Sequence, residues 1–277
     1  MPALFVFLWS TGFIGGKFGL PYAEPFTFLA VRLAIVVALL LALSALTRAP
    51  WPGEARLALH IAVAGLLVHA TYLGGVFSSL AAGLSTGLSA LIVGFQPVLT
   101  ALIAFTFLGE RVSARQWLGL GLGFAGIVLV VWNKLAGGNL TGILPSVVAL
   151  FGITLGTLYQ KRYCTGMDLR TGSVIQFAAS LVAVGALALL FETRVIEWTI
   201  PFVFALGWLV FVLSLGAISL LLVLIRRGAA AKVASLFYLV PPVTAVLGYL
   251  IFGETLGATE LAGMAATVLG VYLVIRS

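Results

Sequence analysis

The sequence predicts an all-α integral membrane protein of ten transmembrane helices, arranged as two inverted five-helix repeats with the N- and C-termini cytoplasmic. Three observations carry this reading: apolar runs of spanning length along the whole chain, a self-similarity at a fixed offset, and basic residues that alternate between the two sides.

A soluble domain of 277 residues needs a charged shell, yet only 8% of these residues are charged and 62% are hydrophobic, with a mean hydropathy of +1.22. Water is therefore not the main solvent. A spanning helix needs roughly 20 mostly apolar residues. Such runs fall at 2–20, 27–46, 57–80, 84–107 and 115–133, and again at 141–161, 171–190, 202–224, 229–252 and 259–275. Barrel strands would alternate polar and apolar positions, but Leu33 to Leu43 and Leu118 to Val131 are apolar all round. The first run begins at Pro2 without a basic n-region or a cleavage site after it, so it reads as a retained span rather than a removable signal peptide. The basic stub expected before such a span is missing, which leaves residues upstream of Met1 an open expectation.

With a cytoplasmic N-terminus, the inner segments hold Arg48, Arg56, Arg111, Arg115, Lys161, Arg162, Arg170, Arg226, Arg227, Lys232 and Arg276, most of the 15 basic residues. The outer side keeps Lys17, Arg32, Lys134 and Arg194, together with the acids Glu24, Glu192, Glu197, Glu254 and Glu260. This is the positive-inside distribution, and a wrong span count would scramble it. The net charge of +7 is spread over span ends and forms no aromatic-interleaved patch, so no nucleic acid is implied as a partner.

Sliding the chain by 144 residues, the step from Lys17 to Lys161, also superposes Gly12 on Gly156, Pro97 on Pro241, Thr100 on Thr244, Gly109 on Gly253 and Glu110 on Glu254. Gly119 and Gly126 then meet Gly263 and Gly270. The units are 1–134 and 135–277. Because each holds an odd number of spans, the second enters the membrane upside down relative to the first, the arrangement typical of secondary transporters.

The junction Leu108-Gly109-Glu110-Arg111-Val112-Ser113, its partner Gly253-Glu254-Thr255, the prolines before them, and the stretch from Phe7 through Lys17 resemble the drug/metabolite transporter superfamily. The likeness is to its ten-helix EamA type, with an overall similarity to YddG-type aromatic amino-acid exporters. That resemblance implies a secondary carrier whose spans 1, 3, 4, 6, 8 and 9 line a central cavity, with spans 5 and 10 peripheral. Gly109, Glu110, Gly253 and Glu254 are its family-motif residues.

The residues offer candidates for such a cavity. His69 and Tyr72 stand three apart on one face of span 3, where lipid would penalise two polar tips. Trp9, Gln96, Tyr159 and Tyr238 come from spans 1, 4, 6 and 9 and would complete an amphipathic aromatic pocket. Taken individually, such a residue is more often packing or an interfacial anchor. Pro97, Pro241 and Pro242 fall within spans 4 and 9, where a missing amide donor predicts kinks that act as hinges. Lys17 reads as a snorkelling residue. Arg32 lies inside span 2, matches Gln176 in the second unit, and reads as structural with Glu24 as its partner. Glu110 and Glu254 sit at span ends and read as loop or gating contacts, with Ser113-x-x-Gln116 a capping box for span 5. Gly119-x-x-x-Gly123 fits packing within the chain or a homodimer seam, and the sequence leaves both open.

Several chemistries find no support. No phosphate loop is present, so ATP-driven pumping is disfavoured, and no cofactor is implied. No zinc or aspartate-rich motif supports a membrane enzyme, His60 and His69 alone are a weak haem pair, and Cys164 has no partner for a disulfide. A channel would call for rings of like residues. All eight acids map to loops or span ends, so coupling through a buried carboxylate is unsupported and a cationic cargo would go unneutralised. His69 is the one deep group that titrates near neutrality, so the expectation is facilitated export first, with exchange or a histidine-dependent proton step left open, of a zwitterionic or neutral small metabolite, with membrane lipid as the surrounding partner.

Overall fold

A computed structural model describes residues 2–108, 113–136, 141–220, 237–254 and 257–275. Glycine and proline at the span ends, together with a few side-chain caps, set where each helix begins and stops. The first helix, α1, is Pro2–Gly19. Glu24 precedes α2, Pro25–Leu46, whose first position is a proline already fixed at a helical φ. A long apolar stretch follows as α3, Ala55–Gly65, a π-helical turn at Leu66–Thr71, and α4, Tyr72–Ala81. The next span is divided. Ser85 caps α5, Thr86–Val93, by accepting from the Leu88 amide at 3.4 Å, and after Gly94 and Phe95 the chain resumes as α6, Gln96–Leu108. The expected capping box opens α7, Ala114–Ala136: the Ser113 amide donates to Gln116 Oε1 at 2.7 Å and the Gln116 amide to Ser113 Oγ at 3.2 Å.

The remainder follows a similar plan. α8 is Ile143–Tyr163, and Asp168 caps α9, Leu169–Phe191, by accepting from the Arg170 amide at 2.9 Å. Arg170 also clasps this carboxylate through its guanidinium, which with the backbone bonds holds the Asp168 carboxyl down at about 2. α10, Ile200–Gly207, runs into a second π-helical stretch, Trp208–Ala217. A 3-10 turn at Phe237–Leu239 leads into α11, Val240–Phe252, which Gly253 ends in the left-handed region at φ 64°. Last comes α12, Ala258–Ile275.

The described residues are helical throughout, save turns and one isolated bridge between Ala23 and Ile196. Seven helical stretches among them are long and apolar enough to cross a membrane. Large apolar side chains such as Leu118, Val182, Ile200 and Phe211 face outward, while Arg32, His69 and many serines and threonines are buried. That distribution suits a hydrocarbon solvent, in which polar groups seek each other inside the bundle. Ser79, Ser89 and Ser146 form such a chain, each hydroxyl 3.0 Å from the next, and it ties α4, α5 and α8 together.

The helices associate in crossed pairs: α2 with α9, α7 with α12, α5 with α11, α1 with α10 and its π stretch, and α8 with α4 and the other π turn. Reciprocal carboxylates fasten α2 to α9. Glu192 accepts from the amides of Phe26 and Thr27 at 2.8 and 2.6 Å, satisfying donors that helix α2 leaves unpaired. Glu24 in turn accepts from the amide and hydroxyl of Thr193 at 2.7 and 2.6 Å. Those hydrogen bonds hold the Glu24 carboxyl below its ordinary value, outweighing a slight upward push from burial.

Backbone meets backbone in the α7–α12 pair. A Cβ added at Gly126 would lie 2.6 Å from the Gly263 carbonyl oxygen, and one at Gly270 would lie 2.5 Å from both the Gly119 carbonyl oxygen and the Gly123 amide nitrogen. Gly119 and Gly123 are thus used for packing within the chain. Gly126→Ala and Gly270→Ala should each destabilise the protein by about 1–3 kcal/mol, the usual range for overpacking. Thermal unfolding in detergent micelles, with Gly121→Ala as a control at an open position, checks this.

Candidate functional site

The π turn at Leu66–Thr71 places His69 and then Tyr72 on the inner face of their span. A π turn holds one residue more than an α turn, and such bulges recur at functional sites because they re-aim the side chains they carry. Small residues let the neighbouring helices close on it. Gly152 and Gly156 of α8 sit where a Cβ would lie 2.9 Å from the Tyr72 amide nitrogen and 2.6 Å from a Val68 methyl. Gly12 and Gly15 of α1 lie in the same way against Leu213 and Leu209 of the second π stretch.

Between these elements lies a small cavity, with about 40 Å³ of space for water-sized molecules. Its wall includes Trp9, Arg32, His69, Tyr72, Phe77 and Leu213. Trp9 and Tyr72 stack with ring planes 13° apart and centroids 6.3 Å apart, and Phe237 meets Trp9 edge-on at 5.1 Å. His69, 1% exposed, lies flat against Phe177 at 4.1 Å, and neither ring nitrogen has a hydrogen-bond partner. Arg32, 2% exposed, donates from Nε and Nη2 to Ser214 Oγ at 3.1 and 3.0 Å. A cation so buried and paired only with a neutral hydroxyl is expensive to keep, by several kcal/mol. Trp208, at the start of the second π stretch, donates to Thr11 Oγ1 at 3.0 Å.

Three of the sequence-predicted binding residues, Trp9, His69 and Tyr72, share this wall. Gln96 lies apart, donating to Thr157 Oγ1 at 3.2 Å while its buried Oε1 stays unpartnered. Tyr159 also lies elsewhere, its hydroxyl 2.7 Å from His60 Nδ1 in a cluster with Tyr163. Tyr238 belongs to the 3-10 turn before α11, and its side chain lies outside the described residues. Gly109 and Glu110 also lie outside them.

Pro97 occupies the first turn of α6, and Pro241 and Pro242 the first turn of α11. There a missing amide donor costs little, because first-turn donors have no intrahelical partner. The interruptions therefore take the form of new helix starts. They also touch: a Cβ on Gly94 would lie 2.7 Å from the Pro241 ring.

Glu254 is engaged more closely than a loop contact requires. It pairs with Lys17 of α1 and accepts from the Thr86 amide at 3.1 Å and the Thr86 hydroxyl at 2.7 Å, at the start of α5. Lys17 therefore has a protein partner where snorkelling was expected. Arg32 is likewise bound to Ser214 and not to Glu24, which Thr193 occupies. Ser214 and Phe177 were not singled out from the sequence, where a serine and a phenylalanine among apolar residues carry no signal.

A multi-span helical bundle with lipid-facing apolar surfaces, interrupted helices and a largely apolar cavity holding a few buried polar groups at their meeting point defines a membrane transporter. The chain belongs to the EamA-like transporter family, which it matches over residues 2–132 and 140–276. It is similar to the uncharacterized transporter YvbV of Bacillus subtilis (31% identity over 98% of this chain and 89% of that protein). It is similar also to the uncharacterized inner membrane transporter YedA of Escherichia coli K12 (26%, over 98% and 88%) and to a probable amino-acid metabolite efflux pump of the same organism (24%, over 98% and 92%). One crystal structure shares its fold at a TM-score of 0.66 and 18% identity, over 99% of this chain and 95% of that one. The family and these relatives are named as transporters or efflux pumps, not enzymes.

Burial alone would raise the Glu254 carboxyl, but the bonds from Lys17 and Thr86 outweigh it and hold it below its ordinary value. Because the folded carboxyl titrates lower than the unfolded one, the contribution of Glu254 to stability is complete above the ordinary carboxylate range and is lost as pH falls through it. Thermal unfolding of the wild type should therefore drop more steeply on acidification than that of Glu254→Gln, with the two curves converging at the acid end.

Proposed function

We propose that this protein is a secondary transporter that exports small metabolites, amino acids and aromatic ones among them, across a bacterial inner membrane by alternating access. It works as facilitated diffusion or exchange. The observation that carries the reading is the cavity at the meeting of α1, α2 and the two π-helical stretches, walled by Trp9, His69 and Tyr72. At about 40 Å³ it is too small for an amino acid as it stands, so a carrier must widen it to load, as alternating access demands.

A ten-span chain of two inverted units, 1–134 and 135–277, with both ends cytoplasmic, is supported from several directions. The 144-residue offset carries the limits of α6 onto those of α11, residue for residue, and carries the turn at Leu66–Thr71 into the stretch Trp208–Ala217. It also exchanges the close contact of Gly126 with Gly263 for that of Gly270 with Gly119. Contacts interchange in the same sense, α1 against the second π stretch and α8 against the first. The charge distribution supports the orientation. Inner-membrane location and amino-acid cargo draw on the names of the two E. coli relatives.

Gln96, Tyr159 and Tyr238 enter this proposal as residues that contact cargo along its path, and Pro97, Pro241 and Pro242 as hinges. Gly253 and Glu254, and by repeat Gly109 and Glu110, act as end latches, with the Lys17–Glu254 pair closing the outer end of α1 against α5 and α11.

Counterflow of labelled L-phenylalanine into proteoliposomes tests the reading. Uptake should saturate and should depend on unlabelled phenylalanine inside, neither of which a channel shows. The His69→Ala/Tyr72→Ala protein, verified as inserted, should lose about ten-fold or more in transport efficiency, as expected when central anchors are truncated. Unchanged rate and affinity in that variant would remove the cavity from the pathway.

A further inference from the structure

We propose that Arg32 is the specificity residue of this cavity and that it selects a cargo bearing a carboxylate on an aromatic or apolar body. This names the substrate class of the site and rests on the cavity being the transport site.

The argument starts from an unbalanced charge. Arg32 is 2% exposed and lines the cavity, and the hydrogen bonds it makes go from Nε and Nη2 to one hydroxyl, Ser214 Oγ. A guanidinium has five N–H donors and is never deprotonated in a protein, and a hydroxyl brings no charge to offset it. Among the acids whose side chains are described none is its partner: Glu24 is on Thr193, Glu192 on Phe26 and Thr27, Asp168 on Arg170, Glu254 on Lys17 and Thr86, and Glu54 and Glu197 are exposed. Buried cations are ordinarily paired, and a carboxylate is the group whose two oxygens fit the guanidinium fork. His69 adds a second donor on the same wall, since its ring nitrogens are buried and unpartnered. The rest of the wall is aromatic and aliphatic, with the stacked Trp9 and Tyr72 rings and Phe77, Leu213 and Val76. Such a surface binds a flat apolar body and offers no anion to an ammonium.

The repeat isolates this chemistry. At the offset of 144 residues Arg32 corresponds to Gln176, His69 to Leu213, Tyr72 to Gly216 and Trp9 to Ile153. At these positions the second unit thus lacks the charge and the aromatic and imidazole rings that the first contributes to the wall, and keeps a neutral amide in place of the guanidinium. Gln176 is engaged with Gln160 at 3.3 Å. A packing role common to both units would not require an arginine in only one of them.

The test is equilibrium binding to purified protein in lipid nanodiscs, followed by quenching of tryptophan fluorescence, with 3-phenylpropanoate and its neutral isostere 3-phenylpropanamide as probes. Wild type should prefer the acid by about ten- to hundred-fold, the range of a charge-assisted hydrogen bond. Arg32→Gln, which installs the residue the second unit carries, should abolish the preference, and Arg32→Lys should retain part of it. The comparison of acid with amide on the wild type needs no variant, so a misfolded substitution cannot hide the answer. Equal binding of the two probes by wild type, binding of neither, or a preference that survives Arg32→Gln overturns the assignment. Equal binding that Trp9→Ala weakens for both probes overturns the role of Arg32 and leaves the cavity reading standing.

Discussion

Inside a bilayer no water is available to pair a backbone group that its own helix has abandoned, and the rest of this structure follows from that constraint. Every interruption of a helix has to be buried in protein or line a cavity. The described chain interrupts its helices at Leu66–Thr71, at Gly94 and Phe95, at Trp208–Ala217 and at Phe237–Leu239. These four places gather around one another: Trp9 meets Phe237 and Tyr72, Arg32 meets Ser214, and Gly94 meets Pro241. The cavity is the consequence, since irregular backbone packs less completely than helix on helix. Its position needs no separate cause.

How much of this could be read in advance depended on the kind of signal. Helix class and the positions of seven spanning stretches were legible because twenty apolar residues in a row have one stable solution in lipid. The capping box at Ser113 and Gln116 was legible because its two bonds are local. Prolines announced interruptions, but their form was hidden. Whether a helix bends through a proline or restarts at it depends on what fills the gap, here the ring of Pro241 against Gly94. The π turns carry no local signature at all; what the structure shows beside them is close packing against glycines on the facing helices, Gly152 and Gly156 for one and Gly12 and Gly15 for the other.

The site was legible in part, for a related reason. His69 and Tyr72 share a helical face by spacing, so those two could be read as neighbours from periodicity, while Trp9 joined them only through the span arrangement that the resemblance implied. Gln96 and Tyr159 are oriented by tertiary partners, Thr157 and His60, which no periodicity reveals. Arg32 was visible but given a partner on charge alone. Glu24 is opposite in sign and close in sequence, yet Thr193 holds it, and a neutral serine 182 positions away holds the arginine. The stronger indication was the mismatch of Arg32 with Gln176. In a duplicated chain, positions alike in both units serve the scaffold, and positions that differ are free to carry chemistry.

The glycine seam between α7 and α12 has a mechanical consequence. Its two tight contacts, Gly126 with Gly263 and Gly270 with Gly119, are images of one another under the repeat. In the inverted arrangement proposed here, one contact faces each membrane surface. A tilt about the midpoint of the seam eases one contact by as much as it tightens the other, and the reverse tilt does the opposite. The seam then behaves as an axle with no preferred direction, and the choice between the two tilts is left to the groups that break the symmetry, which in this chain are those lining the cavity.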